Sequence, residues 1–213
     1  MSSTIKQVHT DHAGGEAEVV EELPAYPGIA MDKIVLVSTP QQLVFARQHL
    51  MHAKTLGYDT ESKPVFTVGH SSDGPHLIQL ATENHAFLFP LVKAEQREMS
   101  HAVLKEVLES KQILKVGFGL SDDNQMLLKK LAIKITNVLD LSRSLSDNRK
   151  KQMGAKRAVE KYFAQVLQKS KRVSTSNWAA EHLSERQLKY AADDAQSALL
   201  VYIAASELTA LSK

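Results

Sequence analysis

The chain of 213 residues is long enough for one substantial hydrophobic core, and its 43% hydrophobic content is typical of an ordinary globular domain. It contains no cysteine, which excludes disulfide bonds and thiolate metal sites. No apolar run approaches the roughly 18 residues that span a bilayer, and residues 1–22 lack the apolar core of a signal peptide. We therefore expect a soluble cytoplasmic protein with no membrane partner.

The net charge of +2 conceals an uneven distribution along the chain. Residues 143–172 carry ten Lys or Arg side chains, against only Asp147 and Glu160. On charge alone, this stretch is most simply a solvated helical face. A clustered excess of positive charge also favours a polyanionic partner, so the stretch gains meaning if acidic catalytic motifs accompany it.

Residues 1–27 lack periodicity and predict a flexible segment, whereas residues 28–213 predict one folded domain. The apolar run at residues 34–37 predicts a strand. Thr39 or Ser38 can then cap a helix that has Pro40 in its first turn and continues to about residue 53.

Three further strands are predicted at residues 56–61, 77–81 and 86–89, and their short connections favour an antiparallel arrangement. The pattern then alternates: a helix at about 95–109, a strand at 113–117, a helix from about 123 and a strand at 133–139. The rest is mostly helical, ending with a helix over about 184–211 capped by Ser184. This order predicts an α/β fold with a mixed sheet flanked by helices.

Asp59 and Glu61 lie two residues apart on the predicted strand at 56–61. Residues two apart on a strand point to the same face, so the two carboxylates should lie side by side. A divalent cation such as Mg²⁺ or Mn²⁺ relieves the repulsion between them. A polar strand end is the simpler explanation if this motif is taken alone.

A second acidic motif follows the strand at 113–117, in the sequence Gly117-Phe118-Gly119-Leu120-Ser121-Asp122-Asp123. The third glycine of a dinucleotide-binding turn would fall at Asp122, which excludes that interpretation. An aspartate here can instead supply a carboxylate at the start of the next helix, and both Asp122 and Asp123 are candidates.

The last helix carries Tyr190 and Asp194, four residues apart and therefore neighbours on one helical face. A phenol and a carboxylate would then share a site, although such pairs are also common on helix surfaces.

In order and spacing, these motifs resemble the DEDD superfamily of 3′-to-5′ exonucleases, and specifically its tyrosine subclass, which includes ribonuclease D and Werner-type exonuclease domains. The likeness extends from about Lys33 to the C-terminus. It also includes the Leu-Ile-Gln-Leu-Ala strand at residues 77–81 and the Asn177-Trp178 element. The family spacing selects Asp123 over Asp122, and Lys189 stands where the histidine subclass would have its general base.

The resemblance implies a ribonuclease H-like fold in an exonuclease domain over residues 28–213. It implies a site that binds two divalent ions, Mg²⁺ or Mn²⁺, through Asp59, Glu61, Asp123 and Asp194. Tyr190 would orient the attacking water. The expected reaction is hydrolysis of phosphodiester bonds from the 3′ end, which releases nucleoside 5′-monophosphates.

The implied partner is the 3′ end of a single-stranded nucleic acid, with RNA slightly favoured over DNA. Basic residues of the second half would contact its phosphates, and the candidates are Arg149, Lys150, Lys151, Lys156 and Arg157. Two alternatives stay open: a nucleic-acid-binding module that keeps the fold without catalysis, and an enzyme acting on small nucleotides.

Overall fold

The computed structural model describes residues 22–65, 72–146 and 152–211. The strands in these ranges are β1 (Ile34–Leu36), β2 (Thr55–Glu61), β3 (Leu77–Ala81), β4 (Ala86–Pro90), β5 (Leu114–Gly117) and β6 (Val138–Asp140). The helices are α1 (Pro40–His52), α2 (Ala94–Leu108), α3 (Ser121–Leu131), α4 (Leu141–Ser144), α5 (Ala155–Phe163), α6 (Lys171–Ser174) and α7 (Glu185–Leu211). A single 3-10 turn, Met31–Lys33, precedes β1.

The strands form one sheet in the order β1-β4-β3-β2-β5-β6. Strand β3 pairs in an antiparallel manner with both of its neighbours, β2 and β4, which confirms the prediction for this part of the chain. Strand β1 joins β4 in parallel, and β5 and β6 add in parallel beside β2. The fold is therefore α/β with a mixed sheet, as predicted.

Helices cover the sheet on both faces. Apolar residues of α1, α2 and α3 pack with Leu56, Tyr58 and their neighbours on β3 and β4 to form a core on one face. On the other face, α7 lies across the sheet and contacts β1 through β5. Its small buried residues, among them Ala191, Ala192 and Ala195, let the helix lie close to the strands.

The first and last long helices begin where the sequence predicts, because each has a reciprocal cap. In α1 the Thr39 hydroxyl accepts from the backbone N–H of Gln42, and the Gln42 side chain accepts from the N–H of Thr39. In α7 Ser184 and Gln187 repeat this exchange. Both caps satisfy backbone donors that would otherwise have no partner in the helix.

The predicted strand at residues 133–139 is wrong over most of its length, since β6 is only Val138–Asp140. Ile133 is buried, but its segment passes over the end of α2, where the N–H of Thr136 donates to the carbonyl of Leu108 at 3.0 Å. Asn137 then adopts a left-handed backbone conformation, with φ 50°, which interrupts an extended strand. The apolar residues here serve packing rather than strand pairing.

The segment predicted to be flexible lies outside the described residues up to residue 21. Its last residues run along the fold, where Ala25 bridges to Val166 and the ring of Tyr26 stacks on Phe163. Among the described residues, no helix is both long and apolar enough to cross a membrane.

Candidate active site

Strand β2 carries two of the predicted acidic residues at its C-terminal end. Side chains alternate along a strand, and Leu56 and Tyr58 point into the core formed with α1–α3. Asp59 and Glu61 therefore share the opposite face, which α7 covers, as the alternation predicts. The carboxylate of Asp59 accepts from the N–H of Thr60 at 2.8 Å, which holds it at the strand end.

Helix α7 brings Tyr190 and Asp194 to this strand end. A glycine in β2 makes the approach possible, because a Cβ atom at Gly57 would overlap the backbone carbonyl of Ala195 in α7. The residue next to Ala195 is Asp194, which is thereby placed beside Asp59, and the two carboxylates interact electrostatically. The close contact of helix and strand thus joins two motifs separated by 135 positions in the sequence.

The third acidic motif reaches the site from the first turn of α3. Gly119 has φ +72°, and its N–H donates to the carboxylate of Asp140 at 2.9 Å, which fixes the turn between β5 and α3. Asp123 then accepts a short hydrogen bond from the hydroxyl of Thr60, the residue between Asp59 and Glu61. Asp122 is exposed. The structure therefore brings Asp123 to the group and leaves Asp122 at the surface.

The four carboxyl groups lie close together where little solvent reaches them, so their negative charges repel one another. Burial raises the pKa of Asp59 well above its usual value, and Asp194 and Asp123 raise it further. Burial, followed by the charges of Asp59 and Asp194, raises the pKa of Glu61 to about 10. Burial also raises the pKa of Asp123 and of Asp194. Positive charge at this point would stabilise the ionised carboxylates.

One residue of the group, Lys169, was not predicted from the sequence. It lies in the connection between α5 and α6, and its Nζ is 2.8 Å from Oδ2 of Asp194 and 5.6 Å from the ring centre of Tyr190. Burial acts to lower the pKa of Lys169, but Asp194 and Asp59 more than offset this and raise it. Nothing in the sequence distinguishes Lys169 from the other basic residues between 143 and 172.

The chemistry of the donor set fits Mg²⁺ or Mn²⁺, because Asp59, Glu61, Asp123 and Asp194 offer hard carboxylate oxygens. As the side chains lie, however, no group of three or more His, Asp or Glu residues in the described ranges is arranged to hold a metal ion. Lys169 engages Asp194, and the hydroxyl of Thr60 engages Asp123. Both contacts are made by side chains, so side-chain rotation would release the oxygens.

The predicted nucleic-acid contacts are only partly within the described residues. Arg149, Lys150 and Lys151 lie outside them. Lys156 and Arg157 are exposed on α5, a helix that packs against α7. Their contact with substrate stays a prediction. Trp178 is fully buried and its Nε1 donates to the carbonyl of Ser174, so it is a packing residue rather than a base-stacking surface.

Two solved structures are similar to this fold. The exonuclease domain of Nibbler from Aedes aegypti superposes with a TM-score of 0.73 at 24% identity, covering 86% of this chain and 92% of that domain. RNase D from Trypanosoma brucei, in a complex with RNA U12, superposes with a TM-score of 0.70 at 21% identity, covering 80% of this chain and 61% of that one. At these identities the likeness shows the fold, which is that of the ribonuclease H-like exonucleases.

A curated relative is similar in sequence as well. The exonuclease 3′-5′ domain-containing protein 2 of Drosophila melanogaster is 30% identical over 156 residues, or 73% of this chain. The chain spans about a quarter of that protein, with 26% of its length matched. A family model described as 3′-5′ exonuclease matches residues 34–206. This match includes all four acidic residues, Tyr190 and Lys169, and the chain therefore belongs to the 3′-5′ exonuclease family.

Proposed function

We propose that this protein is a metal-dependent exonuclease of the tyrosine subclass, which hydrolyses single-stranded nucleic acid from the 3′ end and releases nucleoside 5′-monophosphates. The observation that carries the proposal is the convergence of Asp59, Glu61, Asp123 and Asp194 at the end of β2, with Tyr190 beside Asp194. Four carboxylates crowded in a partly buried place are costly unless cations bind there. Catalysis by two metal ions supplies a reason for that cost.

The four carboxylates would hold two divalent ions, Mg²⁺ or Mn²⁺. Bound there, such ions lower the pKa of an attacking water and stabilise the charge that develops on the phosphate and the leaving oxygen. Asp59, whose carboxyl group interacts electrostatically with those of Glu61, Asp123 and Asp194, would be one of the ligands that hold the ions. Glu61 and Asp194 flank it on the α7 face, and Asp123 approaches from the first turn of α3.

Tyr190 would orient the attacking water. Burial and the charges of Asp194 and Glu61 raise the pKa of its phenol far above its usual value, so the hydroxyl keeps its proton at neutral pH. It can therefore donate one hydrogen bond and accept another, which is what positioning a water molecule requires. A residue held protonated in this way is a poor general base, so its role is orientation rather than proton removal.

Single-stranded RNA is the proposed preferred substrate, with DNA as the second choice. The support is the similarity of the fold to an RNase D that binds RNA U12 in its crystal structure. Exposed Lys156 and Arg157, together with Arg149, Lys150 and Lys151, would contact substrate phosphates without reading sequence. We retain the cytoplasm as the proposed location.

The test is digestion of 5′-labelled single-stranded RNA and DNA in Mg²⁺, Mn²⁺ or EDTA, with the products identified by mass spectrometry. We expect a ladder that shortens from the 3′ end, depends on metal and disappears in Asp59→Asn and Asp123→Asn. Tyr190→Phe should slow the ladder. The exposed neighbour Asp122 is the matched control, and Asp122→Asn should cleave at close to the parent rate.

The outcomes separate the proposed enzyme from its alternatives. Binding of oligonucleotides without shortening would indicate a non-catalytic module and refute the proposal. Hydrolysis of mononucleotides with no dependence on oligonucleotide length would indicate a small-molecule enzyme. An active Asp123→Asn with an inactive Asp122→Asn would show that the wrong aspartate was assigned to the site.

A further inference from the structure

Lys169 places one ammonium group against both functional positions of α7. Its Nζ forms an ion pair with Oδ2 of Asp194 at 2.8 Å, and it lies 5.6 Å from the ring centre of Tyr190. The side chain of Lys169 is 28% exposed, whereas that of Asp194 is only 5% exposed. The cation thus reaches from the surface into the acidic group and covers its most buried carboxylate.

The charges around this ammonium do not balance. Asp194 is its direct partner, and Asp59 and Glu61 also act on it electrostatically. A single positive charge therefore faces at least three carboxylates, and it cannot neutralise them all. A divalent cation at the same place would favour the ionised form of these carboxyl groups and would be held by their negative charge.

A divalent ion bound by Asp194 would have to share that carboxylate with the ammonium, which contacts Oδ2. Each is stabilised by direct contact with the carboxylate, and like charges a few ångströms apart repel strongly where solvent is largely excluded. We propose that Lys169 is a built-in competitor of the divalent ion at Asp194, which holds the acidic group together until metal displaces it. This inference rests on the proposed function, because it concerns the same metal site.

A lysine is suited to this exchange. Its flexible side chain ends in a compact charge, and the described contacts of Lys169 with the site are made by Nζ alone. Because the side chain is partly exposed, the ammonium can move toward solvent without disturbing the core. Lys169 is accordingly a positioning residue that sets how tightly metal binds.

Direct measurement of Mn²⁺ binding tests the competition without relying on activity. Calorimetric titration would compare the parent protein with Lys169→Met, and with Lys171→Met as the control. Lys171 is exposed on α6, so that variant loses the same charge two residues away. We expect Lys169→Met to bind Mn²⁺ on the order of tenfold more tightly than the parent, and Lys171→Met to bind as the parent does.

Unchanged or weaker Mn²⁺ binding by Lys169→Met would overturn the inference. The result is distinguishable from failure of the proposed function, which predicts that the parent binds Mn²⁺ and that Asp194→Asn binds it far more weakly. If the parent protein binds no Mn²⁺ at this site, the proposed function itself is refuted. If it binds normally and Lys169→Met behaves the same, only the competition is refuted.

A second measurement uses the parent protein without any substitution, so it does not depend on whether a variant folds. Lysine acetylation, followed by mass spectrometry, would be timed with EDTA and with saturating Mn²⁺. Displacement by metal should make Lys169 react several-fold faster, since a free amine group exposed to solvent is the reactive form. Exposed Lys171 serves as the internal reference. Equal rates for Lys169 in the two conditions would contradict the proposed displacement.

Discussion

Two neighbouring aspartates of α7, Asp193 and Asp194, each form a short ion pair with a lysine, but the surroundings of the two pairs differ. Lys189 and Asp193 are one helical turn apart, with Nζ 2.6 Å from Oδ1. Lys169 and Asp194 come from different elements and are 2.8 Å apart. By distance alone they are equivalent ion pairs, and only their surroundings tell them apart.

The Lys189–Asp193 pair is balanced. Asp193 also accepts from the N–H of Ile29 at 2.9 Å, and Lys189 donates to the carbonyl of Pro27 at 3.1 Å. Gly28, which lies between Pro27 and Ile29, has φ +62°, a backbone conformation that favours glycine. The single positive charge of Lys189 is paired with the single negative charge of Asp193. Their other hydrogen bonds, to Pro27 and Ile29, fix the segment that precedes β1. This pair is a structural clip.

The Lys169–Asp194 pair is unbalanced, because Asp59 and Glu61 add negative charge beside it. The described contacts of the Lys169 ammonium are with the side chains of Asp194 and Tyr190, so this pair does not fix a backbone segment as the Lys189–Asp193 pair does. The comparison shows that a short ion-pair distance does not distinguish a structural contact from a binding site. The ratio of charges around the pair does, since surplus negative charge in a partly buried place has to be relieved by protonation or by additional cations.

The largest expected difference between the pairs is in activity. Asp194→Asn should lower RNA hydrolysis roughly a thousandfold or more, because a carboxylate that binds metal in the transition state is lost. Asp193→Asn is the adjacent control and should stay within about threefold of the parent, since removal of a structural contact affects the chemistry little. Initial rates with labelled RNA, below the unfolding temperature of each variant, provide the comparison. Equal losses in both variants would remove the functional distinction between the pairs.

Stability should show the opposite ranking. Lys189→Met leaves Asp193, whose side chain is only 17% exposed, without its cation. We expect a loss of about 1–2 kcal/mol and a Tm lower by several degrees, because a partly buried carboxylate loses its charged partner. Hydrolysis of RNA should be preserved, and Mg²⁺ should not restore the lost stability.

Lys169→Met is the matched variant for that measurement. The acidic group loses its cation there as well, but Mg²⁺ can replace it. Thermal unfolding in EDTA and in Mg²⁺ should therefore show a larger stabilisation by Mg²⁺ in Lys169→Met than in Lys189→Met. Equal responses to Mg²⁺ would indicate that the two pairs have the same role.

Two pairs of candidate site residues can be placed as neighbours from the sequence alone, because each pair depends on a local pattern. Alternation along β2 places Asp59 and Glu61 on one face, and helical spacing joins Tyr190 to Asp194. The same rules fail for Lys169, whose contact with Asp194 depends on the path of the chain between α5 and α6. No periodicity marks one lysine among ten basic residues in that stretch.

Two other features could not be predicted from the sequence, because they also depend on how the elements assemble. The importance of Gly57 follows from the position of α7 over β2, which only the fold determines. The apolar residues Ile133 and Ile135 have the composition of a strand, but they pack in the core that α1, α2 and α3 help to form and lie outside β6. Hydrophobicity indicates burial, whereas the choice of hydrogen-bond partners is a property of the assembled sheet.

The unbalanced group should also make the stability of the protein depend on pH. The pKa of Glu61 is raised from 4.5 to about 10 in the folded protein, chiefly by burial and by Asp59. A raised pKa means that the folded state favours the protonated form. The stabilising contribution is therefore fully present below about pH 4.5 and is lost as the pH rises toward 10.

Thermal unfolding in EDTA between pH 5.5 and 9 should accordingly show a Tm that falls with pH more steeply in the parent than in Glu61→Gln. Glu160→Gln, on the exposed surface of α5, is the control for removal of an acidic residue and should follow the parent. Because other groups also titrate in this range, the informative quantity is the difference in slope between parent and variant. A parallel course for the parent and Glu61→Gln would mean that Lys169 already neutralises the group, and the distinction between a balanced and an unbalanced pair would then fail.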